Sequence, residues 1–314
     1  MLLGVSPEQS GMWTFESATT PASWTAVDSP VSVTLHAVVQ TANGPCAVGN
    51  GGYVVGRATD GTWGVVVDAG IAAENRAIYD VAPTDDGTRL WLVGASGTIG
   101  YYDLAAGERR DLSATLESDS ALQSVAVSGP RSEEKLLVAD ANGTVRPADV
   151  DGDDPQWGPP TRPATGTVLT DLAADDAGIG YGVDTSANVW VTTEDDGWER
   201  VGIDGEGSSL YAVTTGGDGL VVGGGSGRLH VSDESFRWTP FSVGQATVYA
   251  LDGDAERTLA GGGSGSVSVR ESGGDWRSGD WSGSATIYGV CLGAPSVAVG
   301  SGGTILEGSE GDAG

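Results

Sequence analysis

Lysine is almost missing from this chain: Lys135 is the only one among 314 residues. Basic charge as a whole is scarce, with 15 Lys and Arg against 43 Asp and Glu and a net charge of −28. A surface with that balance repels phosphate backbones, which excludes a conventional nucleic-acid binder. Histidine and cysteine are equally thin. His36, His230, Cys46 and Cys291 are scattered through the chain, whereas a zinc site needs three or four such ligands within reach. Two cysteines also exclude a disulfide-built secreted scaffold. No window approaches the ~18 continuous apolar residues of a membrane span. The opening residues Met1 to Pro7 hold no basic region and no twin arginine, which reads against a signal peptide. There is no Gly-Lys-Ser/Thr phosphate loop. Together these absences predict a cytoplasmic protein without a membrane span.

What is present is glycine and aspartate. Gly accounts for 52 residues, about 17% against a usual ~7%. Asp outnumbers Glu by 28 to 15, and Arg accounts for 14 of the 15 basic residues. Asp-rich, Lys-poor composition resembles that of proteins from salt-in halophilic archaea. High surface charge keeps such molecules apart and hydrated. At molar salt the Debye length is ~3 Å, so self-repulsion costs little there.

A short motif (apolar, any, small or polar, apolar) recurs seven times. It begins at Leu35, Ile78, Leu122, Leu169, Leu210, Val248 and Ile287, with spacings of 43, 44, 47, 41, 38 and 39 residues. A period near 40 built of short strands is propeller spacing. A second apolar run ending near Gly follows, as in Leu92-Val93-Gly94 and Val221-Val222-Gly223. A tight turn comes next, with Gly at 52, 97, 143, 227, 265 and 303 and Ala187 at the seventh place. Glycine there supplies positive φ at no steric cost. A period-2 strand follows, such as Asn188-Val189-Trp190-Val191, then an acidic turn and a fourth strand that often opens with Trp, as at Trp63 and Trp198. Those tryptophans are expected to pack between neighbouring sheets. Each repeat therefore reads as a four-stranded antiparallel meander. It cannot bury both faces alone, and stacking around an axis solves that.

The expected fold is all-β, a single propeller domain over 1–314. The last repeat has three strands, and Ser23 to Val27 looks like the missing fourth. A composite last blade closes the ring and removes two open edges. This favours seven blades, with 308–314 as a short acidic tail. Ser10 to Phe15 resembles a turn and third strand of one more copy, which leaves eight blades as the alternative. Cys46 and Cys291 read as core thiols, although a disulfide between the first and last repeats would also close the ring.

The pattern Val-Gly-x-x-Gly, strand, Asp-Gly-x-Trp resembles WD40/YVTN/BNR-like propellers over roughly residues 20–307. It resembles particularly the photosystem-II stability/assembly-factor-like branch. The Asp-box form of the turn is approximated best by Ala58-Thr59-Asp60-Gly61-Thr62-Trp63, and no repeated Gly-His and Trp-Asp pair occurs. The resemblance implies a non-enzymatic binding platform.

The candidate residues follow from the repeat. Asp80 and Asp171 stand in the third, small place of the motif and are expected near the channel, as lining or as ligand-binding groups; buried carboxylates need partners or raised pKa values. Tyr79, Tyr211, Tyr249 and Tyr288 share the second place, with His36 in the first repeat. They are either inter-blade packing groups or a ring presented to a ligand. Asp149, Asp151, Asp153 and Asp154 form the best calcium candidate. It lacks a distal Glu, and Pro155 follows at once, so a solvated turn is the plainer reading. No other cofactor is implied. The first-to-second and third-to-fourth loops share one face, made acidic by Asp85-Asp86, Asp175-Asp176, Asp195-Asp196, Asp151 with Asp153-Asp154, and Asp252 with Asp254. A sialidase-type site needs clustered arginines, and here they are dispersed. The expected function is a non-catalytic scaffold, monomeric alone, that binds another protein in a salt-rich cytoplasm. A glycan- or small-molecule enzyme at the channel mouth, or a component of a cell-surface or viral assembly, are the alternatives.

Overall fold

Seven four-stranded antiparallel sheets stand around a common axis in the computed structural model, which describes residues 23–163, 166–193, 197–217 and 219–309. The innermost strands carry the recurrent motif: Leu35–Thr41, Ile78–Pro83, Leu122–Ser128, Leu169–Ala174, Leu210–Gly216, Val248–Gly253 and Ile287–Cys291. Blades one to seven are named in this order. In each, the next three strands step outward in sequence order, as Gly44–Gly49, Val54–Arg57 and Trp63–Val67 do in blade one. The seventh blade takes its outer strand from Ser23–Ala26, which pairs antiparallel with Ile305–Ser309, Trp24 lying opposite Gly308. Blade seven packs its inner strand on that of blade one, so the ring is continuous. The architecture is the seven-bladed one. Ser10 to Phe15, the basis of the eight-blade alternative, lies outside the described residues. The last strand reaches Ser309, so the acidic tail starts after it.

The first motif residue does the packing. Leu35, Ile78, Leu122, Leu169, Leu210, Val248 and Ile287 are all essentially fully buried, each contributing about 1.5–3 kcal/mol. The core is a set of inter-blade seams. Cys46 and Val48 of blade one, for example, pack against Ile78, Val81, Leu90 and Leu92 of blade two. Both thiols are buried and free. Burial pushes the Cys46 thiol up to about 11, and drives Cys291 upward too.

Directly after that residue, every inner strand carries a β-bulge. The register slips between Leu35 and Ala37, and at the matching place in the other six blades. The bulged residue is the second motif position, and a bulge re-aims its side chain.

The turns between second and third strands are equally uniform. The six glycines at 52, 97, 143, 227, 265 and 303 have φ from +66° to +76°, and Ala187 holds the same conformation at +63°. Gly97 shows a second reason for glycine: an added Cβ would lie 1.9 Å from the Ser118 carbonyl oxygen.

Aspartate has a structural use here. Nine Asp side chains (at 60, 86, 103, 111, 140, 175, 184, 233 and 254) accept the backbone N–H two residues on. Such Asx turns suit the short Asp side chain. Much of the excess of Asp over Glu is thus turn chemistry.

Tryptophans of the outer strands reach back over the preceding blade. Trp63 Nε1 donates to Glu307 Oε1 at 2.9 Å, Trp198 Nε1 to Thr161 Oγ1 at 3.1 Å, and Trp238 Nε1 to the Val201 carbonyl at 3.0 Å. Trp276 lies just ahead of its short outer strand, Arg277–Ser278. Glu307 also takes Arg57 bidentately, at 2.8 and 3.1 Å, which ties blade seven to blade one.

Candidate functional site

The bulge aims the second motif residue at the axis, and in five consecutive blades that residue is aromatic or histidine. Going round the ring, Tyr211 meets Tyr249 at 5.5 Å between centroids and Tyr249 meets Tyr288 at 5.6 Å. Tyr288 meets His36 at 6.0 Å, and His36 meets Tyr79 at 5.6 Å. His36 and Tyr79 meet edge-to-face at 78°, an arrangement aromatic quadrupoles favour, and the other three pairs are tilted by 45° to 58°. Gln123 and Thr170 complete the circle in blades three and four. The contacts join five consecutive blades in one arc of side chains. Its members face the channel and one another, and Tyr249 and Tyr288 remain 36% and 37% exposed.

The ring sits at one mouth of the channel. His36 Nε2 lies 2.9 Å from Oδ1 of Asn50, in the turn between the second and third strands of blade one. All seven of these turns are built from Gly, Ser, Ala, Asn, Thr and Tyr, without one charged residue. Charge reaches the edges of these turns through Asp140 and Asp184, whose carboxylates accept turn N–H groups in blades three and four, and through Arg228, which follows the blade-five turn.

Asp80 and Asp171 lie next along the same strands. Their blades are two apart, and Ser124 of the blade between joins them. Ser124 Oγ is 2.8 Å from Asp80 Oδ2 and 3.1 Å from Asp171 Oδ1. Every carboxylate oxygen is engaged. Asp80 accepts Val81 N–H on Oδ1 and Val125 N–H of the next blade on Oδ2, at 2.8 and 2.9 Å. Asp171 accepts Leu172 N–H on Oδ1 and Val213 N–H of its next blade on Oδ2, both at 2.9 Å. One hydroxyl proton serves only one of the two carboxylates. The other contact is satisfied when the carboxyl carries a proton itself. Burial raises both groups, and the charge on Asp80 raises Asp171 further. These residues tie blades together; with their oxygens occupied, they offer a ligand little.

Asp252 repeats the device and corrects its placement among the surface acids. It sits on the inner strand of blade six and accepts Leu292 N–H of blade seven at 2.7 Å. Burial pushes its carboxyl up to about 6.

The calcium candidate is also corrected. Asp153 receives Arg89 at 2.6 Å, and Asp154 receives Arg110 at 2.5 Å. Asp149 and Asp151 are exposed on the strand Val145–Asp151. Cross-blade arginines have claimed the carboxylates that would have converged on a cation. Among the described residues, no group of three or more His, Cys, Asp or Glu is placed to hold a metal ion. Elsewhere on the acidic face, Asp85 and Asp86 bond the N–H groups of Gly129 and Arg131, and Asp175 caps its own turn. Asp195 and Asp196 lie outside the described residues.

One cluster carried no sequence signal. Glu206, in the linker before blade five, accepts Arg228 at 2.9 Å and lies 3.4 Å from His230 Nε2. His230 borders cavities of about 520 and 510 Å³. Glu206 and His230 are separated by one blade edge and belong to no repeated motif.

No family model and no curated protein sequence matches the chain. Solved structures do. Virginiamycin B lyase from Staphylococcus aureus has a TM-score of 0.76 at 14% identity, covering 92% of this chain and 99% of that one. YCF48 bound to a D1 peptide gives 0.73 at 15% identity, over 92% and 97%. The U3-55K structure gives 0.77 at 11% identity, over 93% and 100%. At these identities the likeness is one of fold: the chain has a WD40-like seven-bladed propeller.

Proposed function

We propose that this protein is a non-catalytic platform that holds a segment of another protein at the aromatic mouth of its channel. The observation that carries the reading is the contrast at that mouth. A ring of four tyrosines and a histidine is framed by uncharged turns in an otherwise strongly acidic chain. Aromatic, uncharged patches are where interfaces concentrate their binding energy. A propeller of this shape has been captured with a peptide, in YCF48 with its D1 segment. The resemblance to the photosystem-II assembly-factor branch adds the idea of a platform and no partner. The lyase among the neighbours shows that the fold also hosts enzymes, but here the paired carboxylates are committed to backbone N–H groups. Scarce lysine and high acid place the protein, on this reading, in a salt-rich cytoplasm, monomeric until its partner arrives.

The test is affinity capture at molar KCl from a halophilic host, with the Tyr249→Ala/Tyr288→Ala double variant run in parallel. A stoichiometric protein retained by the parent chain and lost from the variant is the expected result. A protein retained equally by both removes the mouth from the reading. If nothing is retained, the platform itself falls.

A further inference from the structure

Resting on that reading, we infer that the mouth takes an arginine side chain from the partner, its guanidinium seated against the tyrosine ring. Surface chemistry and charge point the same way. Adjacent ring centroids are 5.5 to 6.0 Å apart around the axis. Gln123 and Thr170 hold the same place in blades three and four, so the aromatic arc occupies five of the seven positions around the axis. The face of a tyrosine ring carries the negative end of the aromatic quadrupole, which attracts cations.

The charge around the mouth is complementary to a cation. Arg228, at the edge of the blade-five turn, is already paired with Glu206 at 2.9 Å. The linkers that frame it from outside carry eight acidic residues and two arginines. Both arginines are already held on backbone carbonyls, Arg76 by Ser96 and Arg162 by Asn142, and Arg76 pairs with Glu74 as well. An anionic group meets the acidic linkers, and a neutral aliphatic one leaves the quadrupoles unused.

Guanidinium is favoured over ammonium for a physical reason. It is planar and weakly hydrated, stacks on aromatic faces, and gives up less hydration on entry. The same argument lets it compete with abundant, well-hydrated potassium.

The experiment titrates the full chain with N-acetyl-arginine methylamide at 2 M KCl, reading tyrosine chemical shifts and heat. The citrulline, lysine and norleucine analogues serve as comparisons. The expected result is binding of the arginine probe at least about fivefold tighter than citrulline or norleucine, with lysine between. Tyr249→Leu and Tyr288→Leu keep apolar bulk but remove the quadrupole, and each should weaken the arginine probe. Tyr249→Phe keeps the ring and should retain it. Both tyrosines are well exposed, so matched melting temperatures verify that the variants fold. Equal affinity for arginine and citrulline overturns the inference, as does indifference to the leucine variants. A captured partner that depends on Tyr249 and Tyr288 but is not displaced by the arginine probe refutes the arginine while leaving the platform intact.

Discussion

Replacing Arg89 tests how the structure holds blades two and three together. Arg89 and Glu134 both have zero side-chain exposure, and Arg89 Nη1 donates to Glu134 Oε1 at 3.0 Å. Arg89 also donates to the Gly152 carbonyl at 3.2 Å and to Asp153 at 2.6 Å, and its guanidinium lies 4.1 Å over the Tyr101 ring. Glu134 has less support: beyond Arg89 it receives only a 3.4 Å contact from Trp91 Nε1. Removing one member of such a pair strands a buried charge, at about 3–5 kcal/mol. Arg89→Met should fall at the upper end, because Glu134 then has Trp91 alone. Glu134→Leu should fall at the lower end, because Asp153 and Gly152 still hold Arg89. The double variant replaces the pair with apolar side chains and should cost less than the sum of the singles, by about 2 kcal/mol or more. At about 2–4 °C per kcal/mol for a chain of this size, Arg89→Met should lower Tm by roughly 10 °C. Urea unfolding at fixed 2 M KCl, followed by Trp fluorescence and circular dichroism, gives all four corners of the cycle. A cost below about 1 kcal/mol for Arg89→Met, or strict additivity, would refute the reasoning.

Three further outcomes are expected. Asp171 and Asp252 have folded pKa values raised by burial, Asp252 to about 6, so their share of stability is complete below the ordinary carboxylate pKa and is lost as pH rises through the folded value. Asp171→Asn and Asp252→Asn should therefore flatten the decline in Tm from pH 4 upward; an unchanged pH profile would contradict the buried carboxyls. Trp24 is 6% exposed and packs against Leu306 and Ala298, so Trp24→Ala should cost about 3–5 kcal/mol, and an unmoved urea midpoint would show that the strand Ser23–Ala26 adds nothing. Tm should climb steeply between dilute buffer and molar KCl, as self-repulsion at −28 is screened; a flat profile sinks the halophilic reading.

The repeat was legible because each inner strand must supply a buried residue at one place, and Leu35, Ile78 and Leu122 announce it without any neighbour. The left-handed turns were legible for the same local reason, down to Ala187 at the glycine position. The ties between blades were not. Asp80, Ser124 and Asp171 lie 44 and 47 residues apart, and only the closed ring brings them within hydrogen-bond distance. Asp153 and Asp154 read as a cation loop because their arginines come from another blade. Asp252 passed for a surface acid through its proximity to Asp254, although Asp252 is still on the inner strand and Asp254 lies in the turn after it. The aromatic positions were visible in the sequence, but the bulge that turns them onto the axis was not, since a one-residue slip in pairing leaves no compositional mark.

That slip separates two jobs that a regular strand would couple. Because the bulged residue stands outside the ladder register, its side chain can change while the buried residue before it keeps the seam closed. The chain already shows the freedom, carrying His, Tyr, Gln and Thr at equivalent places on seven near-identical frames. The mouth is thus a seven-character address written on an invariant support. Rewriting it one blade at a time should yield a panel of receptors that share one stability and differ in what they recognise.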